Sequence, residues 1–313
     1  MSIKYRVVIF LTILAALYVL VTSQVMSRSV LSIFTSLEQE YSRRDAGRVS
    51  QYIDSEMARL DEFALDWGFW SQTHKFMLGL NPDFVADNLS WGEPLTMRAN
   101  VLALIDTDNR LRWGEVYDLE AENPRPIEDY YQLGIADSPR VSGLTSVDDL
   151  THGFLNDPGP GPPLLFVSCP ILNNNGVGPV AGTIVIGRFL DDYFIREMRD
   201  KLSLEINIWD VQEALPPELE QLQADLIENP AGQFWLESDT ELRHFYLSTD
   251  IHFEPAFIVE IVFPRRILSA AEEAVATAIT YLVVALLLFM LVIWLIFDKV
   301  ILAPMGHLHA LPI

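Results

Sequence analysis

Residues 164–187 read LLFVSCPILNNNGVGPVAGTIVIG. Two apolar runs, Leu164 to Ile171 and Val180 to Gly187, flank a turn-forming stretch from Asn173 to Gly178. Asn and Gly tolerate the positive φ angles of a tight connection, so the segment reads as a β-hairpin. The glycines at 176, 178 and 182 are out of register for a dinucleotide fingerprint, and no helix follows them. Working outward, Val101 to Ile105 and Leu111 to Tyr117 make another hairpin around Asp106-Thr-Asp-Asn-Arg110. Leu190 to Leu202 reads as a helix and Ile206 to Trp209 as a short strand. Pro217 to Ile227 is a helix with Pro in its first turn, and His244 to Ser248 and Phe257 to Phe263 are late strands. Pro158 to Pro163 (PGPGPP) is a loop in an irregular central stretch. This order predicts an α+β domain, an antiparallel sheet with helices.

Upstream of the hairpins, residues 24–67 predict a long helix, with Gly47 as its weak point. From Met26 onward, Val30, Phe34, Leu37 and Tyr41, then Ile53, Met57, Leu60, Ala64 and Trp67, recur at steps of four and three, which keeps them on one face. That stripe fits a dimer seam linking membrane to sensor. It fits equally an amphipathic helix lying on its own sheet.

The chain carries 21 Lys plus Arg against 43 Asp plus Glu, yet half of it is hydrophobic. The two facts separate along the sequence. Residues 7–23, preceded by Lys4 and Arg6, form one apolar segment, and Ala274 to Phe297 is another without a charge. A helix of the second length is about 36 Å long, enough to cross a bilayer. The first segment also fits a cleaved signal peptide ending near Val21-Thr22-Ser23. The absence of Pro and Gly from there to Gly47 favours an uncleaved anchor. Residues 24–273 hold 18 basic and 42 acidic residues, a net charge of −24. Such acidity argues against a nucleic-acid partner, which needs a basic footprint. It also makes a cationic or neutral ligand the better expectation, unless the pocket is locally basic around Arg188 or Lys75. Lys4 and Arg6 predict cytoplasmic termini (residues 1–6 and 298–313) and an exported central domain, although Arg28, Arg265 and Arg266 flank the spans on the other side.

The densest cluster of chemistry-bearing residues is Asp66-Trp67-Gly68-Phe69-Trp70-Ser71-Gln72-Thr73-His74. Two indoles three residues apart share a helix face, and with Asp66, Gln72 and His74 they could wall a small-ligand pocket. Residue types alone favour core aromatics that close the end of the long helix. Asp106 to Arg110 begins like a calcium loop but has Leu111 at the sixth position and Tyr117 at the twelfth, which excludes an EF-hand. Of the six histidines only His307 and His309 are close in sequence, so no metal site is predicted. Cys169, the single cysteine, excludes an intramolecular disulfide framework and reads as a buried thiol. Asn88-Leu-Ser90 fits a glycosylation pattern that carries no weight here. No nucleophile elbow or phosphate loop is present.

Several blocks together resemble the fourth type of the cyclase/histidine-kinase-associated sensory extracellular (CHASE) family. They are Asp66-Trp67-Gly68-Phe69-Trp70, Asn88-Leu89, the Val101–Leu111 hairpin, Ser168–Ile171 with Gly178–Arg188, and Phe257–Arg266. The resemblance covers about residues 50–268. It implies a PAS/Cache-like antiparallel sheet domain between two transmembrane helices, 7–23 and 274–297. It also implies a candidate ligand site among Asp66, Trp67, Trp70, Gln72, His74, Asn88 and Arg188. Ser71 and Gln72 stand where the family often has two acids, which unsettles the polar contacts. Asp298 to Leu308, with Pro304, resembles the start of a HAMP linker that stops at Ile313. The expectation is therefore a two-pass bacterial inner-membrane receptor input, homodimeric, with a small-molecule ligand and no cofactor. No catalytic domain is expected in this chain, the cyclic-di-GMP or histidine-kinase output lying beyond it. The alternatives are a truncated non-catalytic partner of full-length receptors and a membrane-anchored periplasmic hydrolase.

Overall fold

The structure, a computed structural model, describes residues 3–89, 96–125, 135, 139–146, 148–156, 162–211, 216–229 and 232–296. Ser90, part of the Pro158–Pro163 loop, His307, His309 and the 298–313 linker lie outside those residues. The first helix, α1, runs unbroken from Ile3 to Gly68 and passes through Gly47. Two compact units share it.

The first unit contains residues 3–44 of α1 and the last helix of the described residues, Arg266–Ile296. Both helices are long and apolar enough to cross a membrane. Phe10, Ile13, Leu17 and Leu20 on the first, and Phe289 and Trp294 on the second, are more than half exposed. So much exposed apolar surface calls for lipid as its solvent. Past the span, Glu38 and Ser42 of α1 are buried, as are Ala271 and Val275 of the last helix. On α1 the side chains of Ile33, Leu37 and Tyr41 remain exposed at four-residue spacing, hence on one face.

The second unit, residues 45–238 and 242–263, holds two antiparallel sheets among the described residues. In the first sheet β1 (Val101–Asp106), β2 (Leu111–Asp118), β3 (Asn123–Arg125), β4 (Thr151–Leu155), β5 (Leu164–Pro170) and β6 (Gly182–Phe189) lie in the order β3-β2-β1-β6-β5-β4. The hairpin of residues 164–187 therefore supplies central strands, with Ser168 opposite Val185 and Ile186 opposite Leu102. Among the described residues, this unit's middle stretch has the short or medium helices α2 (Ser71–Met77), α3 (Phe84–Asn88), α4 (Pro139–Ser142) and α5 (Asp192–Leu202). The second sheet has β7 (Glu205–Asp210), β8 (Gln233–Glu237), β9 (Glu241–Thr249) and β10 (Pro255–Pro264) in the order β7-β10-β9-β8. α6 (Pro217–Glu228) precedes β8, and the span Arg266–Ile296 is α7.

Side chains alternate across each strand, so each sheet has two apolar faces. On one face of the first sheet Leu102, Leu104, Leu165, Val167, Cys169, Ile184 and Ile186 join the cluster that contains Val49, Ile53, Leu60 and Ala64 of α1. Ile206, Phe257, Val259 and Ile261 of the second sheet belong to the same cluster. The C-terminal half of the heptad stripe thus lies on its own domain, as the second of the two readings has it. The other face of the first sheet buries Val101, Ala103, Ile105, Phe166 and Val185 with Val141 of α4. The other face of the second sheet buries Phe245, Leu247 and Ile258 under Leu219, Leu222 and Leu226 of α6. Burial on both faces explains why the central strands read as continuous apolar runs. Gly182, at φ +153, tolerates no side chain, because a Cβ there would overlap the carbonyl oxygen of Ile105.

The sequence reading missed β3, β4 and β8, and it did not separate two sheets. β4 reads Thr-His-Gly-Phe-Leu and β8 Gln-Phe-Trp-Leu-Glu. Both sit at sheet edges with few buried side chains, so neither shows apolar alternation.

Candidate functional site

Residue 68, the last of α1, is glycine for a steric reason: a Cβ there would lie 2.8 Å from Cys169 Sγ. The amide of Leu172 donates to Gly68 O at 2.8 Å. Further along, the Asn174 amide donates to Ser71 Oγ at 3.2 Å, and Ser71 N donates to Asn174 Oδ1. The hairpin turn thereby fixes the junction of α1 and α2.

At that junction Trp67 and Trp70 meet edge to face, 5.7 Å between centroids and 79° between planes. Phe84 of α3 lies 6.4 Å from Trp67 and 5.8 Å from Trp70, and stacks on Phe76 at 5.1 Å. Phe84 is fully buried, whereas both indoles are half-buried. Asn88 Nδ2 donates to Phe84 O at 3.0 Å, closing α3, and Asn81 Nδ2 donates to Gln72 Oε1 at 3.2 Å. Two polar atoms in this corner are buried without a protein partner, Thr73 Oγ1 and His74 Nε2. Unsatisfied buried groups are uncommon and call for an occupant or a cost. Asp66 points to an exposed position. The structure thus gathers Trp67, Trp70, Gln72, His74 and Asn88 on and around two short helices. Phe84 and Thr73 belong with them, and only the apolar and hydroxyl character of those two residues in the sequence hinted at it.

Arg188 departs from the predicted set. It is fully buried in β6, and its guanidinium donates to Glu56 Oε2 at 3.3 Å, to Arg98 O at 3.3 Å and to Glu197 Oε2. Its Cζ sits 5.1 Å from the Phe194 ring centroid. Glu56 precedes Trp67 by three helical turns, roughly 16 Å along α1, so the two centres are separate. Arg59 Nη2 adds a 2.8 Å bond to Glu56, and Arg98 pairs with Glu197. Burial alone would raise the Glu56 pKa. The hydrogen bond and charge of Arg59, with the charges of Arg188 and Arg98, outweigh burial and hold it below the usual carboxylate range. Carboxylates of the protein pair with the Arg188 Nη atoms and make it a tie between α1, β6 and α5, while its Nε is buried without a protein partner.

Residues 52–209 match the family described as the CHASE4 domain. The chain belongs to the CHASE4 family. Its matched region contains the C-terminal turns of α1, the whole first sheet, α5 and most of β7. The methanogenesis regulatory histidine kinase FilI of Methanothrix harundinacea (strain 6Ac) is 22% identical over 306 residues, which is 98% of this CHASE4 chain and 34% of that protein. The chain thus spans about a third of the length of the curated relative it matches. Among solved structures, the extracellular domain of a protein assigned as a histidine kinase, vpHK1S-Z8, has a TM-score of 0.52 at 12% identity, covering 76% of this chain and 95% of that one. A domain of a protein assigned to the sensory box/GGDEF family from Vibrio parahaemolyticus has a TM-score of 0.52 at 12% identity, covering 75% and 99%. These likenesses support the mixed sheet-and-helix sensor fold. The chain is a CHASE4 sensory domain flanked by two candidate spans, and no catalytic domain is recognisable in it.

Proposed function

We propose that this chain is the sensory input of a two-pass membrane receptor whose output is a histidine kinase. The observation that carries this is the position of the CHASE4 match between two candidate spans, in a chain that aligns along 98% of its length with a regulatory histidine kinase. That alignment favours a kinase over a cyclic-di-GMP output. The central domain faces outward and both termini lie in the cytoplasm, a reading supported by Lys4 and Arg6 before the first span. The ligand is a small molecule received at the aromatic corner of Trp67 and Trp70. Half-buried indoles supply apolar walls, and Thr73 Oγ1 and His74 Nε2 are the polar groups it would satisfy. Two copies pair through Leu37 and Tyr41, the exposed members of the N-terminal half of the heptad stripe, with Ile33 exposed beside them.

The test is a thermal-shift screen of small metabolites on the chain in lipid nanodiscs, repeated with W70A and H74A. A hit whose shift survives in both variants would remove the corner from the account. An absence of any hit would leave the receptor reading without its ligand.

A further inference from the structure

A recess lies between α5 and β7, away from the aromatic corner. Its volume is about 370 Å³, and Asp192, Ile195, Arg196 and Arg199 of α5 face Asn207, Ile208 and Trp209 of β7 across it. We infer that this cleft binds a small organic monocarboxylate.

Its β7 wall is fixed from behind. Glu260 of β10 is buried at 2% exposure and accepts from Trp209 Nε1 at 2.8 Å and from Asn207 Nδ2 at 3.1 Å. Arg243 neutralises that carboxylate through Nε at 2.6 Å. Asn207 Oδ1 in turn accepts from Arg199 Nη2 at 2.5 Å. The amide and one guanidinium are therefore held in place before anything binds, which is what a binding wall needs.

β7 is also an edge strand. Val211 N bonds to Ala256 O, while the carbonyl of Ile206 leaves the ladder to accept from Arg199 Nε at 2.6 Å. Along an antiparallel strand, alternate residues turn both backbone groups outward. Ile208, which lines the cleft, shares the parity of Ile206 and so offers its N–H and C=O on the free edge. A carboxylate placed there meets a backbone donor and two guanidinium groups. Ile195 and Ile208 are the surface for an apolar body, the Trp209 side chain pointing to the opposite face of β7.

Charge sharpens the class. The domain carries −24, so an anion is repelled at long range and needs local cations. Arg196 and Arg199 supply them, Arg199 also lying 3.6 Å from the exposed Glu205 carboxylate. Asp192, one turn before Arg196 on the same face, disfavours a second negative charge on the ligand. Arg196 is engaged by Glu120, but both side chains are about half exposed, so that ion pair is weak and exchangeable. Glu120 is then an internal competitor for the ligand.

This inference stands apart from the aromatic corner, and one experiment separates them. Benzoate and inorganic phosphate are titrated into the chain in nanodiscs by calorimetry. The cleft predicts saturable benzoate binding that R196Q weakens about tenfold and E120Q tightens about threefold. It predicts no change with R140Q, an exposed cation elsewhere, or with W70A. Phosphate should bind more weakly, because it has no apolar body. Benzoate affinity indifferent to R196Q, weakened by E120Q, or lost in W70A would overturn the inference. So would equal binding of phosphate, or no saturable binding of benzoate up to ~10 mM, below the affinity such a cleft should reach. A loss confined to W70A would instead favour the corner.

Discussion

Glu38 on the first helix accepts a hydrogen bond from Arg265 Nε at 3.0 Å, and its other oxygen accepts from the amide of Leu268 at 3.3 Å. One carboxylate thus pairs with a cation and caps the first turn of α7, where free amide groups favour an anion. Both side chains are at most 10% exposed, so water does little to weaken the pair. Glu38 fixes where α1 and α7 leave the membrane side by side. E38A should therefore loosen the start of α7 while leaving the two sheets intact. The expected cost is about 1 kcal/mol, seen as roughly fivefold faster amide exchange at residues 266–269. E38Q should lose part of that, since it keeps an acceptor for Leu268. Unchanged exchange in E38A would mean that the pair holds nothing.

His244 gives a pH signature. It is 2% exposed, stacks on Trp235 at 4.2 Å, and neither ring nitrogen has a partner. Burial pushes its pKa down to about 4. An unfolded histidine titrates near 6.5, so between those values the unfolded chain holds a proton that the folded one refuses. This contribution is fully present above about pH 6.5 and is lost as pH falls towards about 4, on the order of 3 kcal/mol in all. H244F keeps the ring stack and removes the titration. Urea unfolding of the two proteins should show a stability difference that grows in favour of H244F from pH 6.5 to pH 4.5. A pH-independent difference would contradict it.

Arg188 should be indispensable as a charge. R188M leaves Glu56 and Glu197 facing each other without their shared partner, and the expected loss is about 3–5 kcal/mol in chemical denaturation. The double variant E56Q/R188M should recover part of it. A single variant as stable as the parent would show that Arg59 and Arg98 neutralise the cluster unaided.

Gly68 tests the tie between the hairpin and α1. G68A would bring a methyl to 2.8 Å from Cys169 Sγ, and overpacking of that kind costs roughly 1–3 kcal/mol. Adding C169A removes the sulfur and should restore part of the loss. The carbonyl of Pro170, 3.2 Å from the same Cβ position, keeps the rescue incomplete.

The sequence revealed what burial writes plainly. Strands covered on both faces, such as Val101–Asp106 and Leu164–Pro170, stand out as apolar runs, and the spans stand out by length. Edge strands with polar outward positions, such as Gln233–Glu237, leave no such mark. The heptad stripe was visible, but not that its C-terminal half lies on the domain while Leu37 and Tyr41 stay exposed, because spacing names a face without naming what covers it. The Trp67–Trp70 pair was legible from its spacing. Its neighbour Phe84 and the two carboxylates that claim Arg188 come from distant segments, and a single sequence does not reveal which distant segments meet.

The proposed receptor function requires that occupancy of the CHASE4 domain change how α1 and α7 are disposed where they leave the membrane. Nitroxide labels at the exposed positions Ser36 and Ser269, in the chain reconstituted in nanodiscs, report that relation by pulsed electron–electron distance measurement. Cys169 is buried, with its thiol pKa pushed up to about 12 by burial, so it will not compete for label. With a ligand bound, as verified by its thermal shift, the account predicts a displaced distance distribution, and a smaller displacement in E38A. An identical distribution with and without bound ligand would contradict it.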